Sequence, residues 1–362
     1  MFPLTTHFGE LLKNIQPPKD RLDAAQRLPP LVRDFLAEHR DFRTLYPHTR
    51  LVGSYAQNMA VGDVKDVDFL VRVKGDPETN QPKAKQLIRE LKTVLDELPE
   101  ALKKEGFAEL QNVEIEGARR SVHVYFADAD FHIDAVPCIA PGGFEEAIYV
   151  PDRGFNKWIP SHPIGYIELL DKLNSQHSGK VKQLGKLLKH FRNHQMIYMR
   201  PKSYWLGALM LHHIRKVEGL DMSLSLAELF RDLLEAIYCQ YDHLLWASDD
   251  AKPNIPDPLL DHNISWNWGR NDFESFMRRL DDGRRWARKA LECEDRQEAI
   301  TYWQKVFGEY YFPSNIEEAA SSRAQAAMPG KSFVSTAGLV TASPSTFGSY
   351  VSTKPTTFYG QK

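Results

Sequence analysis

Three aspartates in apolar surroundings are the residues of this chain best suited to chemistry. Asp66 and Asp68 are separated by one valine in the run DVDFLVRV, whose apolar pattern predicts a strand. Residues two apart in a strand point to the same face, about 7 Å apart along the chain. Two like charges held side by side in an apolar strand cost several kcal/mol unless a cation binds them. The pair therefore predicts a cation site.

A third carboxylate comes from the later run FHIDAVPCI, where Asp134 stands between apolar residues. If this strand lies beside the first one, three carboxylates converge. Magnesium accepts carboxylate, water and phosphate oxygens, so the set predicts Mg²⁺, or Mn²⁺, in a two-metal site. An Asp-X-Asp motif alone is more typical of a solvated strand end, and the third acid weighs against that alternative.

A glycine and a serine precede the paired aspartates at a spacing that suits a phosphate. Gly53 and Ser54 lie in LVGSYAQNM, with eleven residues between Ser54 and Asp66. Glycine lets the backbone approach a phosphate closely, and serine adds a hydroxyl donor. Together with the carboxylates, this turn predicts in-line nucleotidyl transfer. Asp66 and Asp68 would hold the metal on the triphosphate, and all three acids the metal that activates an attacking hydroxyl.

The elements that position these residues predict an α+β fold. Amphipathic spacing predicts helices in residues 8–40, and strand-like runs occupy 66–73, 109–116, 121–126 and 130–139, with a helical pattern at 84–105. After Pro160 the pattern is almost entirely helical, at 163–219, 224–248, 270–293 and 295–312. We expect helices on a mixed sheet in residues 1–160, a helical domain in 161–315, and an active site in the cleft between them. The last 32 residues hold twelve Ser or Thr and no acid, so 316–362 is predicted to be a flexible tail.

Composition limits the classes of function. The formal net charge is −2 and the pI about 6.7, which does not suit a protein that coats a phosphate backbone. The sequence shows neither an apolar run long enough to span a bilayer nor the pattern of a secretory leader. We therefore expect a cytoplasmic protein without membrane contact. Three widely spaced cysteines fit a reducing compartment rather than a disulfide framework.

The motifs resemble those of a known family. GSYAQNMAV followed by DVDFLV, and later VHVYFADADFHIDAVPCI, is similar to the signature of the polymerase-β-like nucleotidyltransferases. In their individual residues, these stretches resemble the bacterial CD-NTases, which are related to cyclic GMP-AMP synthase and oligoadenylate synthase. The resemblance covers roughly residues 10–295 and implies a nucleotidyltransferase core followed by a helical half.

Two further stretches extend the resemblance to nucleotide-binding residues. KVKQLGKLLKHFRNHQ is similar to the family helix that carries a phosphate-binding lysine, here Lys186 or, as second choice, Lys189. RPKSYWLGALMLHHI resembles the next helix, where Ser203 would meet phosphate and Tyr204 would stack on a base. Met59 departs from the pattern, since a threonine is frequent at that position.

The resemblance implies an enzyme that joins nucleoside triphosphates, ATP or GTP among them, into a cyclic di- or trinucleotide messenger. In antiphage signalling the product would activate a downstream effector, and the tail could serve a regulatory or conjugating partner. The absence of a Cys/His zinc module in the sequence argues against activation by long duplex nucleic acid. Two alternatives stay open: a transferase that adds a nucleotide to an RNA, protein or small-molecule acceptor, and a non-catalytic nucleotide sensor.

Overall fold

The computed structural model describes residues 2–62, 66–107, 109–110, 112–248, 251–260, 262–316 and three short strands farther on. Residues 1–312 form one compact unit and residues 313–362 a second. In the second unit, three strands pair antiparallel in the order β10-β8-β9: β8 (Phe333–Ser335), β9 (Val340–Thr341) and β10 (Tyr350–Ser352). The rest of the predicted flexible tail beyond residue 316 lies outside the described residues.

A seven-stranded mixed sheet is the centre of the first unit. The strands are β1 (Thr44–Val52), β2 (Asp66–Val73), β3 (Val113–Gly117), β4 (Val122–Phe126), β5 (Phe131–Ile139), β6 (Ile148–Asp152) and β7 (Lys157–Ser161). The main path of the sheet runs β1-β2-β5-β4-β3, and β6 joins the end of β5 and pairs with β7. The central pair, β2 with β5, is parallel, whereas the other pairs are antiparallel.

Eleven α-helices are described, five before the β3 strand and six after β7. They are α1 (Thr5–Asn14), α2 (Lys19–Glu38), α3 (Gly53–Ala56), α4 (Ala84–Leu95), α5 (Leu98–Lys104), α6 (Pro163–Gln176), α7 (Lys180–Gln195), α8 (Ser203–Arg215), α9 (Leu226–Tyr241), α10 (Arg270–Glu292) and α11 (Arg296–Phe307). Two 3₁₀ helices, at Ala127–Ala129 and Asp242–Trp246, complete the described elements of the first unit.

Helix α2 continues through two prolines. Pro29 and Pro30 lie inside it. Leu28 and Val32, on either side, are completely buried in the core against the sheet. Proline removes a helical hydrogen bond, and the burial of the flanking side chains offsets that loss.

The two faces of the central strands differ in composition. Val67, Phe69 and Val71 of β2 point into a core shared with α2 and α4. Asp66 and Asp68 alternate with them and therefore lie on the opposite face. One strand thus contributes to the packed core with one face and to a polar site with the other.

A second and larger core lies in the helical part of the unit. Side chains of α7, α8, α9, α10 and α11 form it, together with Phe8 and Leu11 of α1. The first helix of the chain therefore packs with the helical half, far from it in sequence. The predicted boundary at residue 160 stays a prediction. In the described residues no helix combines the length and the apolar character needed to cross a membrane.

Candidate active site

The strand register places the predicted carboxylates in one row of the sheet. Asp68 of β2 lies directly opposite Asp134 of β5, and Asp66 lies opposite His132. On the other side of β5, His123 of β4 is the partner of Asp134. Its Nδ1 lies 3.5 Å from the Asp134 Oδ1. The two strands are therefore adjacent, and a histidine that the sequence patterns did not indicate lies next to Asp134.

The carboxylates oppose one another electrostatically. Burial, followed by repulsion from Asp134 and Asp66, raises the pKa of Asp68 to about 7 against the attraction of Lys189. Burial and the charge of Asp66 also raise the pKa of Asp134, while His123 counteracts the rise. Bringing a positive charge to this face would relieve the repulsion.

Gly53 begins the short helix α3 at the end of β1. Its φ is +72°, a left-handed conformation that favours glycine. A Cβ at this position would overlap the Asp68 carboxylate, with Oδ2 as its nearest atom. The glycine is therefore required both by its backbone angle and by the close approach of Asp68, which brings Ser54 and the carboxylates to the same place.

Met59 joins this turn to the helical half. Its N–H donates to the Ser54 carbonyl at 2.9 Å, and its own carbonyl accepts from the Lys189 Nζ at 3.1 Å. The Met59 side chain is buried against Gly185 of α7, where a Cβ would collide with its Cε. The residue that departs from the family pattern thus contacts α7 and adjoins the lysine.

The three lysines on one face of α7 have different environments. Lys182 forms an ion pair with Asp171, and the Lys186 Nζ donates to the Gln16 Oε1 at 3.2 Å. Lys189 is only 5% exposed and lines the cavity beside the carboxylates. Burial, with the charge of Arg192, lowers its pKa to about 8, although Asp66 and Asp68 act in the opposite direction. The structure thus brings Lys189 to the carboxylates and leaves Lys186 outside the cavity lining.

Ser203 and Tyr204 begin helix α8 on the opposite side of the cavity. The Arg192 guanidinium donates to the Ser203 Oγ at 3.0 Å. The Tyr204 hydroxyl donates to the Asp257 Oδ2 at 2.7 Å, and its ring meets Tyr166 edge-on with 5.1 Å between centroids. Both residues named from the sequence therefore line the cavity, and Asp257 and Tyr166 orient the aromatic ring.

Two arginines and a buried aspartate near the cavity were not predicted from the sequence. The Arg119 Nε donates to both oxygens of Asp152, at 2.9 and 3.0 Å, and Arg120 lies 3.4 Å from one of them. Asp152 is completely buried. Burial alone would raise its pKa, but the Arg119 hydrogen bond, the Phe155 N–H and both guanidinium charges hold it below the usual value. Only the fold brings these residues together, so no local spacing could reveal them.

Residues of the sheet and of the helical part line a cavity of about 420 Å³, a size typical of small-molecule sites. Asp66 and Asp68 belong to this lining, whereas Asp134 and His123 lie beside it in the neighbouring strands. The sheet side contributes carboxylates and the glycine turn, and the helical side contributes a lysine, a serine and a tyrosine. Polar lining residues are Ser54, Gln57, Asp66, Asp68, Arg120, Ser161, Tyr166, Lys189, Ser203 and Tyr204.

The donor atoms suit a hard divalent cation. Within the described part of the chain, no three His, Cys, Asp or Glu side chains are already close enough together to hold a metal ion. Asp66, Asp68 and Asp134 nevertheless share one face, offer only carboxylate oxygens and repel one another, as the raised pKa of Asp68 indicates. Oxygen donors with this mutual repulsion fit Mg²⁺ or Mn²⁺.

The chain is similar to several known proteins. Residues 2–174 match the model of the Second Messenger Oligonucleotide or Dinucleotide Synthetase domain. A cyclic AMP-AMP-AMP synthase of Acinetobacter sp. (strain ATCC 27244 / 9458) is 28% identical over 329 residues, which cover 87% of each chain.

Two solved structures of Escherichia coli MS115-1 CdnC have the same fold. The structure with ATP gives a TM-score of 0.63 at 18% identity, covering 85% of this chain and 98% of that one. The complex with HORMA-deltaN gives 0.61 at 18% identity, covering 84% and 97%. The α+β nucleotidyltransferase fold predicted from the sequence is thereby confirmed. The resemblance to the CD-NTases that the sequence motifs indicated is thereby confirmed.

Proposed function

We propose that this chain joins three nucleoside triphosphates, adenosine triphosphate among them, into a cyclic trinucleotide messenger with release of pyrophosphate. One observation carries the proposal: a row of carboxylates and a glycine turn face a buried lysine and a serine across one cavity. The trinucleotide product is supported by the cyclic AMP-AMP-AMP synthase that matches 87% of the chain. Each of the three bonds forms when a ribose hydroxyl attacks an α-phosphate and pyrophosphate leaves.

The sheet side of the cavity is proposed to hold the metal ions. Asp66 and Asp68 would ligate the ion on the triphosphate, and Asp134 would complete the second site. When bound, Mg²⁺ or Mn²⁺ neutralises phosphate charge and lowers the pKa of the attacking hydroxyl. His123, 3.5 Å from the Asp134 Oδ1, would keep that carboxylate oriented.

Gly53 and Ser54 are proposed to receive the triphosphate on the same side. The φ of +72° turns the backbone at Gly53, and the Ser54 hydroxyl supplies a donor beside it. Since Gly53 contacts Asp68 directly, a phosphate on this turn would also lie next to the carboxylates.

The helical side is proposed to bind the outer phosphates and a base. Lys189 is our choice for the phosphate lysine, because it lies in the cavity, whereas Lys186 does not line it. Ser203 would add a hydroxyl donor at the start of α8. Tyr204, fixed by its hydrogen bond to Asp257, would present its ring to a nucleobase.

The biological setting is proposed by analogy with the family. The cyclic product would activate an effector in antiphage defence, and the cytoplasm would supply the triphosphates. CdnC has been solved in a complex with HORMA-deltaN, which supports a regulatory protein partner for this chain as well. Residues 316–362 are the segment that we assign to such a partner.

Mass spectrometry of the product made from all four triphosphates with Mg²⁺ tests the proposal. We expect a phosphatase-resistant cyclic trinucleotide and three pyrophosphates per molecule of product. The Asp66→Asn/Asp68→Asn double variant should give neither. Transfer that begins only after an RNA, protein or small-molecule acceptor is added would overturn the proposal and favour the linear transferase.

A further inference from the structure

A second cavity, of about 570 Å³, has a lining that the catalytic proposal does not use. Phe155 and Trp266 form its aromatic part, and Arg119, Arg153 and Lys85 its basic part. We call these five residues the aromatic shelf. Glycine and asparagine complete the lining, and no acidic side chain is among the residues that line it.

The two rings of the shelf are close together yet open to solvent. Phe155 is 53% exposed and Trp266 is 42% exposed, with 5.5 Å between ring centroids and 50° between planes. The Arg119 guanidinium lies 5.0 Å from the Phe155 centroid and 5.7 Å from that of Trp266. Rings and a guanidinium in this arrangement offer stacking surfaces for a planar ligand.

Asp152 holds in place both the turn that carries Phe155 and the Arg119 side chain. Its buried carboxylate accepts from the Gly154 N–H at 2.9 Å and from the Phe155 N–H at 3.2 Å, which shapes the turn between β6 and β7. The same carboxylate binds Arg119. Asn156 continues the turn, and its Oδ1 accepts from the Lys85 N–H of α4 at 3.0 Å. The backbone of the turn and the Arg119 side chain are therefore held in place by hydrogen bonds within the protein.

The shelf adjoins the active-site cavity through two consecutive arginines. Arg119 lines the shelf, Arg120 lines the cavity, and both contact Asp152. The charges of both arginines also lower the pKa of Lys202, after burial, so the positive potential extends toward the start of α8. A ligand with phosphates near Arg120 could thus extend to the rings without meeting an acidic side chain on the shelf.

Charge and shape together identify the class of ligand. Arg119 is already paired with Asp152, so Lys85 and Arg153 supply the positive charge that favours an anion on the shelf. The exposed rings beside them favour a planar group, and a nucleotide offers both. A cavity of this volume suits a small molecule, whereas a protein partner would need about 800 Å² of contact surface on each side.

We propose that the aromatic shelf binds the second nucleotide of the linear intermediate while its triphosphate end occupies the active-site cavity. The inference rests on the proposed function, because only a synthase of oligonucleotides makes such an intermediate. Retaining the dinucleotide on the shelf would keep it on the enzyme until the third nucleotide is added and the ring closes.

Binding of two inert probes tests the shelf in the full-length chain. One is 5′-triphosphorylated diadenylate whose last ribose lacks the 2′ and 3′ hydroxyls, and the other is 2′,3′-dideoxy-ATP. We expect Trp266→Ala and Phe155→Ala each to raise the Kd of the dinucleotide about tenfold, because stacking on an aromatic side chain is lost. The Kd of the mononucleotide should rise less.

Trp246→Ala is the matched control, since Trp246 is 89% exposed and lines neither cavity. It should leave the Kd of both probes unchanged. Phe155 lies in an exposed turn, so its variant remains informative if Trp266→Ala lowers the melting temperature. Equal weakening of both probes, or unchanged dinucleotide binding in both shelf variants, would overturn the inference.

The outcome separates this inference from the proposed function. A wild-type chain that makes no cyclic product refutes the proposed function. A wild-type chain that makes the product, with shelf variants that bind the dinucleotide normally, refutes the shelf alone. As a second readout, Trp266→Ala should release more linear dinucleotide per cyclic product than Trp246→Ala.

Discussion

The sheet wall of the active-site cavity holds carboxylates with Arg120 beside them, and the helical wall holds a buried lysine. The sheet contributes Asp66 and Asp68, with Asp134 in the adjacent strand, whereas the helices contribute Lys189 and hydroxyl groups. Each wall places charge where burial disfavours it: the pKa of Asp68 is raised and that of Lys189 is lowered. Charges maintained at such a cost are typical of functional sites.

The two walls also differ in how their side chains are brought to the cavity. On the sheet, strand alternation fixes which side chains face the cavity, so the site residues have a regular spacing. On the helical side, Lys189 and Ser203 come from two helices whose rotation depends on packing. The sheet wall would bind the metal ions, and the helical wall would bind the nucleotide phosphates. Substitutions can test the two contributions separately.

Of the substitutions considered, removal of one carboxylate from the sheet wall should lower the activity most. Asp68→Asn is expected to lower nucleotide turnover about a thousandfold, since metal ions supply several kcal/mol to such reactions. The free energy of unfolding at pH 8 in EDTA should stay equal or rise, because the amide removes a charge repelled by Asp66 and Asp134. Pyrophosphate release and thermal melting measure the two effects. An unstable variant that keeps its turnover would contradict this assignment.

The glycine turn should be the next most sensitive feature of the sheet wall. Gly53→Ala introduces a Cβ against the Asp68 carboxylate, so we expect about a hundredfold loss of kcat/KM, equivalent to roughly 3 kcal/mol. Gly62→Ala is the matched control, because its φ of +66° is similar and, among the described residues, no atom lies within 4 Å of an added Cβ. The control should lose about 1 kcal/mol of stability and keep its kcat/KM. Equal kinetic losses in the two variants would point to backbone strain alone.

The helical wall is tested by a pair of lysines one turn apart on α7. Lys189→Met should raise the KM for ATP about tenfold or more, because a charge-assisted hydrogen bond to phosphate is lost. Lys186→Met is the control, since Lys186 contacts Gln16 and does not line the cavity. Its KM should change by less than about threefold, the size of a surface electrostatic effect. A larger effect at Lys186 would assign the phosphate contact to that residue.

The same two lysines show where sequence reasoning stops. The alternation around Asp66 and Asp68 and the apolar strand around Asp134 located the sheet wall, because strand geometry is local. The helical pattern placed Lys186 and Lys189 on one face, but which of them enters the cavity depends on how α7 packs. That packing includes the contact of Met59 with Gly185, which joins residues 126 positions apart.

Other features could not be predicted from the sequence either, because they also depend on long-range packing. Asp152 orders two arginines and a turn only after β6, β7 and the β3–β4 connection have come together. His123 reaches Asp134 through strand pairing. Helix α1 was recognised as a helix, yet its place in the helical core follows from long-range packing of Phe8 with Trp303 and Phe307.

The back of the sheet wall should affect stability and leave chemistry almost untouched. Val71 is completely buried in the core, on the face of β2 opposite Asp68. Val71→Ala removes two methyl groups and leaves a cavity, so the free energy of unfolding should fall by about 2 kcal/mol. The kcat of the folded enzyme should stay within twofold, since no cavity residue moves. Val217→Ala is the control on a fully exposed valine and should change stability by less than about 0.5 kcal/mol. A large fall in kcat for Val71→Ala, measured at a temperature where the variant is folded, would contradict this expectation. It would show that packing on the core face of β2 determines the position of the carboxylates on the other face.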